Sequence, residues 1–385
     1  LNRIVIVAAR RTPVGRFLGG LSKRTAVELA VHVGQAILEP LDPQLRKSID
    51  QVILGNVLAA GSGMNVARQV AVHLGLPLTS VGFTVNMMCA SGIKSIMLAC
   101  DAVQSGHAQL VLCGGTESMS QAPYLLPRVR TGLKLGDASL VDSVLRDGLV
   151  DAFDQQHMGL SAERLAERFQ VTRAAQDAFA WQSQQHYQAA AAAGYFEREL
   201  VPLEELSSDE HPRPETSLPS LAELSPAFSP KGTVTAGNAS GLNDGAAVVL
   251  VCHENFAREH ALEILAVVEN YTDIGCEPAA MGLGPVWATR KLLERAGCKL
   301  DTFDHVELNE AFAAQALACL HELPLDPARV NPNGGSIALG HPIGATGARL
   351  VVHLAQQIAA GRSQRSLATL CVGGGMGAAM SLAAP

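Results

Sequence analysis

Aromatic residues are scarce in this 385-residue chain, at 4% of positions. A core with so few rings has to be built from aliphatic side chains. Paired cysteines are missing too: the eight cysteines are scattered, with no CxxC pair and no Cys/His ligand spacing. That pattern argues against a zinc centre and against a disulfide framework, so no metal is expected. No Lys/Arg block stands out and the formal net charge is −7. Affinity built on phosphate neutralisation is therefore not expected, which excludes a nucleic-acid partner. No apolar run is long enough to span a bilayer, so no membrane partner is expected either. Residues 1–10 have the pattern of a strand that starts at once and leaves no room for a targeting segment. The expected setting is reducing and cytoplasmic.

What the chain has in abundance is aliphatic residues and glycine. Hydrophobic residues make up 48%, charged residues 17%, and there are 36 glycines. This is the profile of a folded α/β protein, and the length calls for two or more packed domains. Ile4–Ala9, Val52–Gly55, Ala108–Cys113 and Gly245–Val251 have the β-branched apolar pattern of strands, and Thr25–Leu38 that of a helix. The alternation predicts mixed or parallel sheets covered by helices. From about Met119 to Asn238 the pattern changes to loops, a helical stretch over Ser161–Ala193 and a Pro/Ser-rich run from Val201 to Pro230. Such a segment suits an insertion that covers the sheets and contacts ligand. A faint internal echo links the ends: Val85-Asn86 and Val330-Asn331 each precede a turn and helix. Likewise Leu110-Val-Leu-Cys113-Gly-Gly resembles Leu370-Cys371-Val-Gly-Gly. Two similar halves are expected, with the insertion in the first.

Four places combine reactive side chains with glycine or a strand end. In Val85-Asn-Met-Met-Cys89-Ala-Ser-Gly92 a strand gives way to helical spacing at Ile93, Ile96, Met97, Cys100 and Val103. Cys89 then falls at a helix N-terminus, where free N–H groups and the helix dipole favour a thiolate. A small buried residue packing a strand–helix turn fits the same pattern. The run Asn333-Gly-Gly-Ser-Ile-Ala-Leu-Gly-His341-Pro-Ile-Gly-Ala-Thr-Gly347 places His341 between glycines and a proline, off any apolar stripe. That favours an exposed catalytic imidazole over a structural one. The helix after it is expected to stop at Gly361. The glycine spacing is a poor dinucleotide fingerprint. Leu370-Cys371-Val-Gly-Gly-Gly-Met-Gly377 predicts a hairpin into a strand at Ala378–Leu382, with glycine N–H groups available to an oxyanion. In His305-Val-Glu-Leu-Asn309-Glu-Ala-Phe-Ala313, Asn309 is either a helix N-cap or an oriented amide at the sheet end. Together these residues suit convergence at one end of a layered structure.

These motifs closely resemble the thiolase family. The likeness runs from Arg11-Thr-Pro-Val-Gly to the Cys371 segment and takes in Asp147-Gly-Leu-Val-Asp-Ala-Phe153, His157-Met-Gly, Gly232–Gly245, Asn309-Glu-Ala-Phe and Gly340-His-Pro-Ile-Gly. The resemblance implies a thiolase-like five-layered αβαβα fold of two similar halves with an inserted loop domain. The matching divisions are residues 1–118 and 239–263 for the N-terminal half, 119–238 for the loop domain and 264–385 for the C-terminal half. It implies a homodimer or homotetramer, with Tyr124–Gly136 matching the loop that family tetramers use.

In this family pattern Cys89 attacks a thioester carbonyl and holds the acyl group, His341 shuttles its proton, and Cys371 takes an α-proton from the second acetyl-CoA. One oxyanion would lie between His341 and a water on Asn309, the other against the N–H groups of Cys89 and Gly373. Coenzyme A positions would be Leu149, His157, Met158, Arg213, Ser220, Phe228, Ala236, Ser240, Ala311 and Phe312. Met281 matches an acyl-pocket position. The implied reaction joins two acetyl-CoA into acetoacetyl-CoA and free CoA without a cofactor. Alternatives are degradative cleavage of longer 3-ketoacyl-CoA, a decarboxylating synthase, and a non-catalytic acyl-CoA or lipid-binding protein. Ala90 departs from the glycine that many members carry after the nucleophile.

Overall fold

Strand β1 (Ile4–Arg11) is buried along nearly its whole length. Its apolar run on both faces suits a strand in the middle of a covered sheet. The computed structural model of the chain describes residues 3–385, and the start of the expected first strand, Leu1 and Asn2, lies outside the described residues. The other main strands are β2 (Ile49–Gly55), β3 (Val81–Val85), β4 (Leu110–Ser118), β5 (Asn243–His253), β6 (Ala266–Gly275), β7 (His305–Leu308), β8 (Arg365–Val372) and β9 (Met376–Ala383). They form one sheet in the order β7-β8-β9-β6-β1-β5-β4-β2-β3, with the short strand Gly15–Arg16 added on β5.

That order is a pattern used twice. β1 pairs antiparallel with β5 and β5 antiparallel with β4, after which β4–β2 and β2–β3 are parallel. In the other half β6 pairs antiparallel with β9 and β9 antiparallel with β8. The β8–β7 pair is then parallel, and a parallel bridge joins Val306 to Val330. The halves meet where β1 and β6 pair antiparallel. The faint echo at Val85-Asn86 and Val330-Asn331 therefore marks equivalent places in two copies of one topology.

Parallel neighbours need crossovers, and helices supply them. The principal helices are α1 (Ala26–Leu38), α2 (Val66–His73), α3 (Ser91–Gln104), α4 (Met158–Arg168), α5 (Arg173–Ala192), α6 (Gly284–Ala296), α7 (Ala313–Glu322) and α8 (Ile343–Ala359). Helix α1 starts at Thr25 through a capping box with Glu28. Its Leu29 and Val33 pack with Val66 and Val70 of α2 on one sheet face, against Leu54, Leu112 and Leu250. Ile93 and Ile96 of α3 and Leu350 and Leu354 of α8 fill the middle, between Val111 and Val249 on one side and Leu370 and Met380 on the other. Val286 and Leu292 of α6 join Ala316 and Cys319 of α7 over Val306, Leu367 and Ala379. The result is the expected five layers, αβαβα.

The two central helices come very close. A Cβ on Gly92 would lie 2.7 Å from the Ala348 nitrogen, and one on Gly347 would lie 2.7 Å from the Ile93 nitrogen. Glycine at both positions brings the first turns of α3 and α8 together. Alanine at either would force the backbones apart, at about 1–3 kcal/mol. This crossing sets the distance between the chemistry carried on the two helix entrances.

Several boundaries differ from expectation. The stretch Ser161–Ala193 is two helices, α4 and α5. Gln170 sits at φ 54° between them, and the Thr172 side chain caps α5 through the Ala175 N–H. The strand expected to end at Cys113 continues through Gly114 and Gly115 to Ser118. The Pro/Ser-rich run contains the short helix Leu218–Ala222, capped by Ser217 and with Pro219 in its first turn. Asn309 is not an N-cap: α7 begins at Ala313, after Phe312. Its backbone N–H instead bonds Thr369 O, extending the β7–β8 ladder. Helix α8 ends at Ala359 and Gly361 takes the left-handed turn at φ 70°.

Candidate active site

Cys89 sits between β3 and α3 on a turn that the local sequence holds tightly. Asn86 Oδ1 accepts from Met88 N at 3.0 Å, and Ser91 Oγ accepts from Met87 N and donates to Met88 O. Met88 is pressed to φ 49°, a strained value for a side chain of its size. His341 occupies the matching place before α8. Its N–H donates to Asn243 Oδ1 at 2.9 Å, and Gly340 at φ 100° leaves room for the Asn243 side chain. His341 Nε2 lies 3.3 Å from Cys89 Sγ.

The imidazole tautomer follows from its other neighbour. His341 Nδ1 is 2.7 Å from Thr346 Oγ1, and that hydroxyl gives its one proton to Pro342 O at 2.9 Å. Nδ1 must therefore be the donor, which leaves Nε2 bare and facing the thiol. Burial, with the Arg349 charge added, lowers the His341 pKa to about 3. Burial pushes the Cys89 thiol up to about 11, against the opposing pull of the Gly373 and Cys89 N–H groups. The thiolate expected from the helix N-terminus is thus corrected: removal from water outweighs the N–H groups. The resting pair is a neutral thiol and a neutral base. The exposed imidazole is also corrected, because His341 is only 6% exposed and reaches solvent through a cavity.

That cavity has a volume of about 340 Å³, within the range of small-ligand sites. Cys89, His341 and Cys371 meet at it, together with Leu149, His157, Met158, Arg213, Phe228, Ala236, Ser240, Met281, Ala311 and Phe312. His157 stacks on Phe228 at 4.6 Å between ring centroids, and Ser240 Oγ bonds Ala311 O. Ser220 does not line it; the residue is exposed on the helix Leu218–Ala222, bonded to Ser217. Gly373 lines a neighbouring cavity and reaches Cys89 through its N–H. Cys371 is buried, and burial pushes its thiol far up, with Cys89 and Cys319 adding to the effect.

Asn309 does not line this cavity; it is buried, with Nδ2 lacking any partner. Its Oδ1 accepts from Ser336 Oγ at 2.6 Å, and Arg349 Nη2 donates to the same hydroxyl at 3.0 Å. Arg349 is in turn paired with Glu307 at 3.1 Å, and Glu307 with His305 at 3.0 Å. The chain of contacts commits the amide oxygen and leaves its N–H₂ free to donate, an arrangement suited to an anionic oxygen or a bound water. Among the described residues, His305, Glu307 and His353 are the group close enough to hold a metal. Each is already engaged: Glu307 by Arg349 and His305, and His353 by Asn333 and Glu199.

The local motifs carried Cys89, His341 and Cys371, but not the residues that aim them. Thr346, Asn243, Ser336 and Arg349 were missed. Thr346 was open to notice, since it is a hydroxyl one helical turn beyond the His341-Pro pair. The contacts of Asn243 and Arg349 link segments far apart in the chain and leave no local signal.

Comparison with known proteins shows the family. The family model of the thiolase N-terminal domain matches residues 4–255, and that of the thiolase C-terminal domain matches residues 262–384. The chain belongs to the thiolase family. It is 49% identical to an acetyl-CoA acetyltransferase of Pseudomonas aeruginosa, with all of both chains covered. A probable acetyl-CoA acetyltransferase of Escherichia coli is 47% identical over 99% of each chain. The thiolase fold is equally close to solved structures. The acetyl-CoA acetyltransferase of Bacillus anthracis superposes with a TM-score of 0.96 at 41% identity, covering 100% of this chain and 99% of the other. Human mitochondrial 3-ketoacyl-CoA thiolase in complex with CoA gives 0.96 at 41%, covering 100% and 98%.

Proposed function

We propose that this thiolase joins two acetyl-CoA molecules into acetoacetyl-CoA and free CoA, reversibly, through an acyl group on Cys89. The observation that carries the reading is the pair formed by the Cys89 thiol and a His341 nitrogen left bare by Thr346. In the first half-reaction the thiol proton passes to His341 Nε2 as Sγ attacks the acetyl carbonyl. CoA departs as thiolate and takes that proton. In the second, Cys371 gives its proton to His341 Nε2 and, as thiolate, takes an α-proton from another acetyl-CoA; the carbanion attacks the Cys89 thioester, the C–C bond forms as the Cys89 thiolate leaves, and that thiolate takes the proton back from His341. Asn309, through a water, and His341 face one oxyanion; the N–H groups of Cys89 and Gly373 face the other. No cofactor takes part.

The relatives named acetyl-CoA acetyltransferase support the acetyl substrate. CoA itself would lie along His157, Phe228, Ala236, Ser240 and Phe312, with Arg213 at the mouth and Ser220 beyond the cavity. In the same reading residues 119–238 act as the CoA-covering loop domain between halves 1–118 with 239–263 and 264–385. A homo-oligomer fits the free edge of β3, where Val81 and Phe83 are exposed, and Leu133 and Leu135 on the loop at 124–136. The expected setting is the cytoplasm; no helix among the described residues is long and apolar enough to cross a membrane. Acetyl-CoA as sole substrate tests the reading. Free CoA and acetoacetyl-CoA should appear in equal amounts, and CoA release without acetoacetyl-CoA would refute it.

A further inference from the structure

Ser336 has a single hydroxyl proton, and its neighbours decide where that proton points. The short helical turn Ser336–Leu339 is pinned on both sides of it. The Gly335 N–H donates to Ser183 Oγ at 3.1 Å, and the Ile337 N–H to Glu310 Oε2 at 3.2 Å. The hydroxyl itself is buried and meets Asn309 Oδ1 at 2.6 Å and Arg349 Nη2 at 3.0 Å. A guanidinium has donors and no acceptor, so Arg349 has to take a lone pair of Ser336 Oγ. The proton is thereby sent to Asn309, and the amide must present its oxygen there. Its Nδ2, buried and without a partner, is turned away from Ser336.

A hydroxyl alone would not make that choice. Freed of Arg349, Ser336 Oγ could equally accept from Nδ2, and an amide rotated by half a turn would tie up on Ser336 the donor that the reaction needs. The guanidinium is held in place from its far side. Its Nη1 donates to Glu307 Oε2 at 3.1 Å, and Glu307 Oε1 lies 3.0 Å from His305 Nε2, with all three residues buried. Stability does not call for this arrangement, because apolar residues of similar volume often serve as well as a buried ion pair or better. We propose that Arg349 is a positioning residue for the oxyanion site. By setting the direction of the Ser336 proton it fixes the Asn309 amide with Nδ2 free for the reacting oxygen or its water. The inference rests on the thiolase reading and adds the group that orients Asn309.

The test compares acetyl-CoA condensation by the wild type, Arg349→Met, Ser336→Ala and the double variant Arg349→Met/Ser336→Ala. Arg349→Met leaves a hydroxyl that can hold the amide the wrong way round, so kcat should fall about 10- to 100-fold with KM within about twofold. Removing that hydroxyl as well removes the competitor. The double variant should therefore be faster than Arg349→Met and approach Ser336→Ala. A role confined to folding would make the two losses add instead. Should the unpaired Glu307 keep Arg349→Met from folding, Arg349→Met/Glu307→Met withdraws both charges and should fold with the same loss of kcat. An unchanged kcat in whichever of these folds, or a double variant with Ser336→Ala no faster than its parent, would overturn the role of Arg349 while condensation by the wild type upholds the thiolase reading. Absence of condensation in the wild type would overturn the reading on which that role rests.

Discussion

The two halves of this chain repeat one topology and use it differently. After β2 the N-terminal half has Asn56, and after the equivalent β7 the C-terminal half has Asn309. Asn56 spends its Nδ2 on Thr116 O at 3.1 Å and Glu117 Oε1 at 2.8 Å. Asn309 is held by its oxygen and keeps Nδ2 without a partner. The helices that follow the outer strands also correspond: α3 is entered through Cys89 and α8 through His341. The connection from β4 to β5 carries the long segment that covers the site, whereas β8 and β9 are joined by the three-glycine turn 373–375. A duplicated scaffold thus supplies matching helix entrances, and divergence decides which side chains there are tied down and which are left free to react.

Substitutions can separate the two roles. The largest effect belongs to the entrance of α3: Cys89→Ala should lower turnover on the order of 10³-fold or more while the fold survives, as for other nucleophile deletions. Next comes the asparagine pair. Asn309→Ala should cut kcat on the order of 10²–10³-fold with little change in melting temperature. Asn56→Ala should do the reverse, costing about 1–3 kcal/mol of stability by leaving the buried Glu117 carboxylate short of a donor. Its kcat/KM should change by less than about fivefold. Equal kinetic losses at the two positions would erase the distinction drawn between them.

The protonation state gives a third contrast. With the Cys89 thiol at about 11 and the His341 imidazole at about 3, neither group is charged near neutrality. Alkylation of Cys89 by iodoacetamide should rise roughly tenfold per pH unit from neutral to mildly alkaline pH, because only the thiolate reacts. A plateau already reached near neutrality would mean a preformed thiolate–imidazolium pair. The smallest effect is expected at Ser336. Removing its hydroxyl frees the Asn309 amide to turn, and Ser336→Ala should lower kcat roughly three- to tenfold with KM nearly unchanged. Ser336→Thr, which restores a hydroxyl, should recover part of the loss.

Much of this was legible in the sequence because it is written in local patterns. A strand, a turn and a 3.6-residue apolar period are enough to put Cys89 at a helix entrance. A glycine-rich run around His341 and another after Cys371 do the same for their neighbours. The duplication was visible only as an echo of a few residues, since strand order depends on pairing between distant segments. The two readings of Asn309 show what local reasoning leaves open: asparagine after a strand fits an N-cap as well as an oriented amide, and only the fold decides, because its N–H continues the ladder and the helix waits until Ala313. The thiol pKa was misjudged for a related reason. Helix position can be inferred along the chain, whereas burial comes from α8 and from the hairpin at 373–375, which arrive from elsewhere. The contacts of Arg349 with Glu307 and Ser336 likewise form only once distant segments have come together.

The central claim is that the closed halves make Cys89 the acyl carrier, with His341 as its base. Brief exposure to acetyl-CoA, acid quench and mass mapping of all eight cysteines tests it most directly. One acetyl group on the Cys89 peptide is predicted, formed far more slowly in His341→Ala. An unmodified Cys89, or acetyl found on Cys371 instead, would contradict the account.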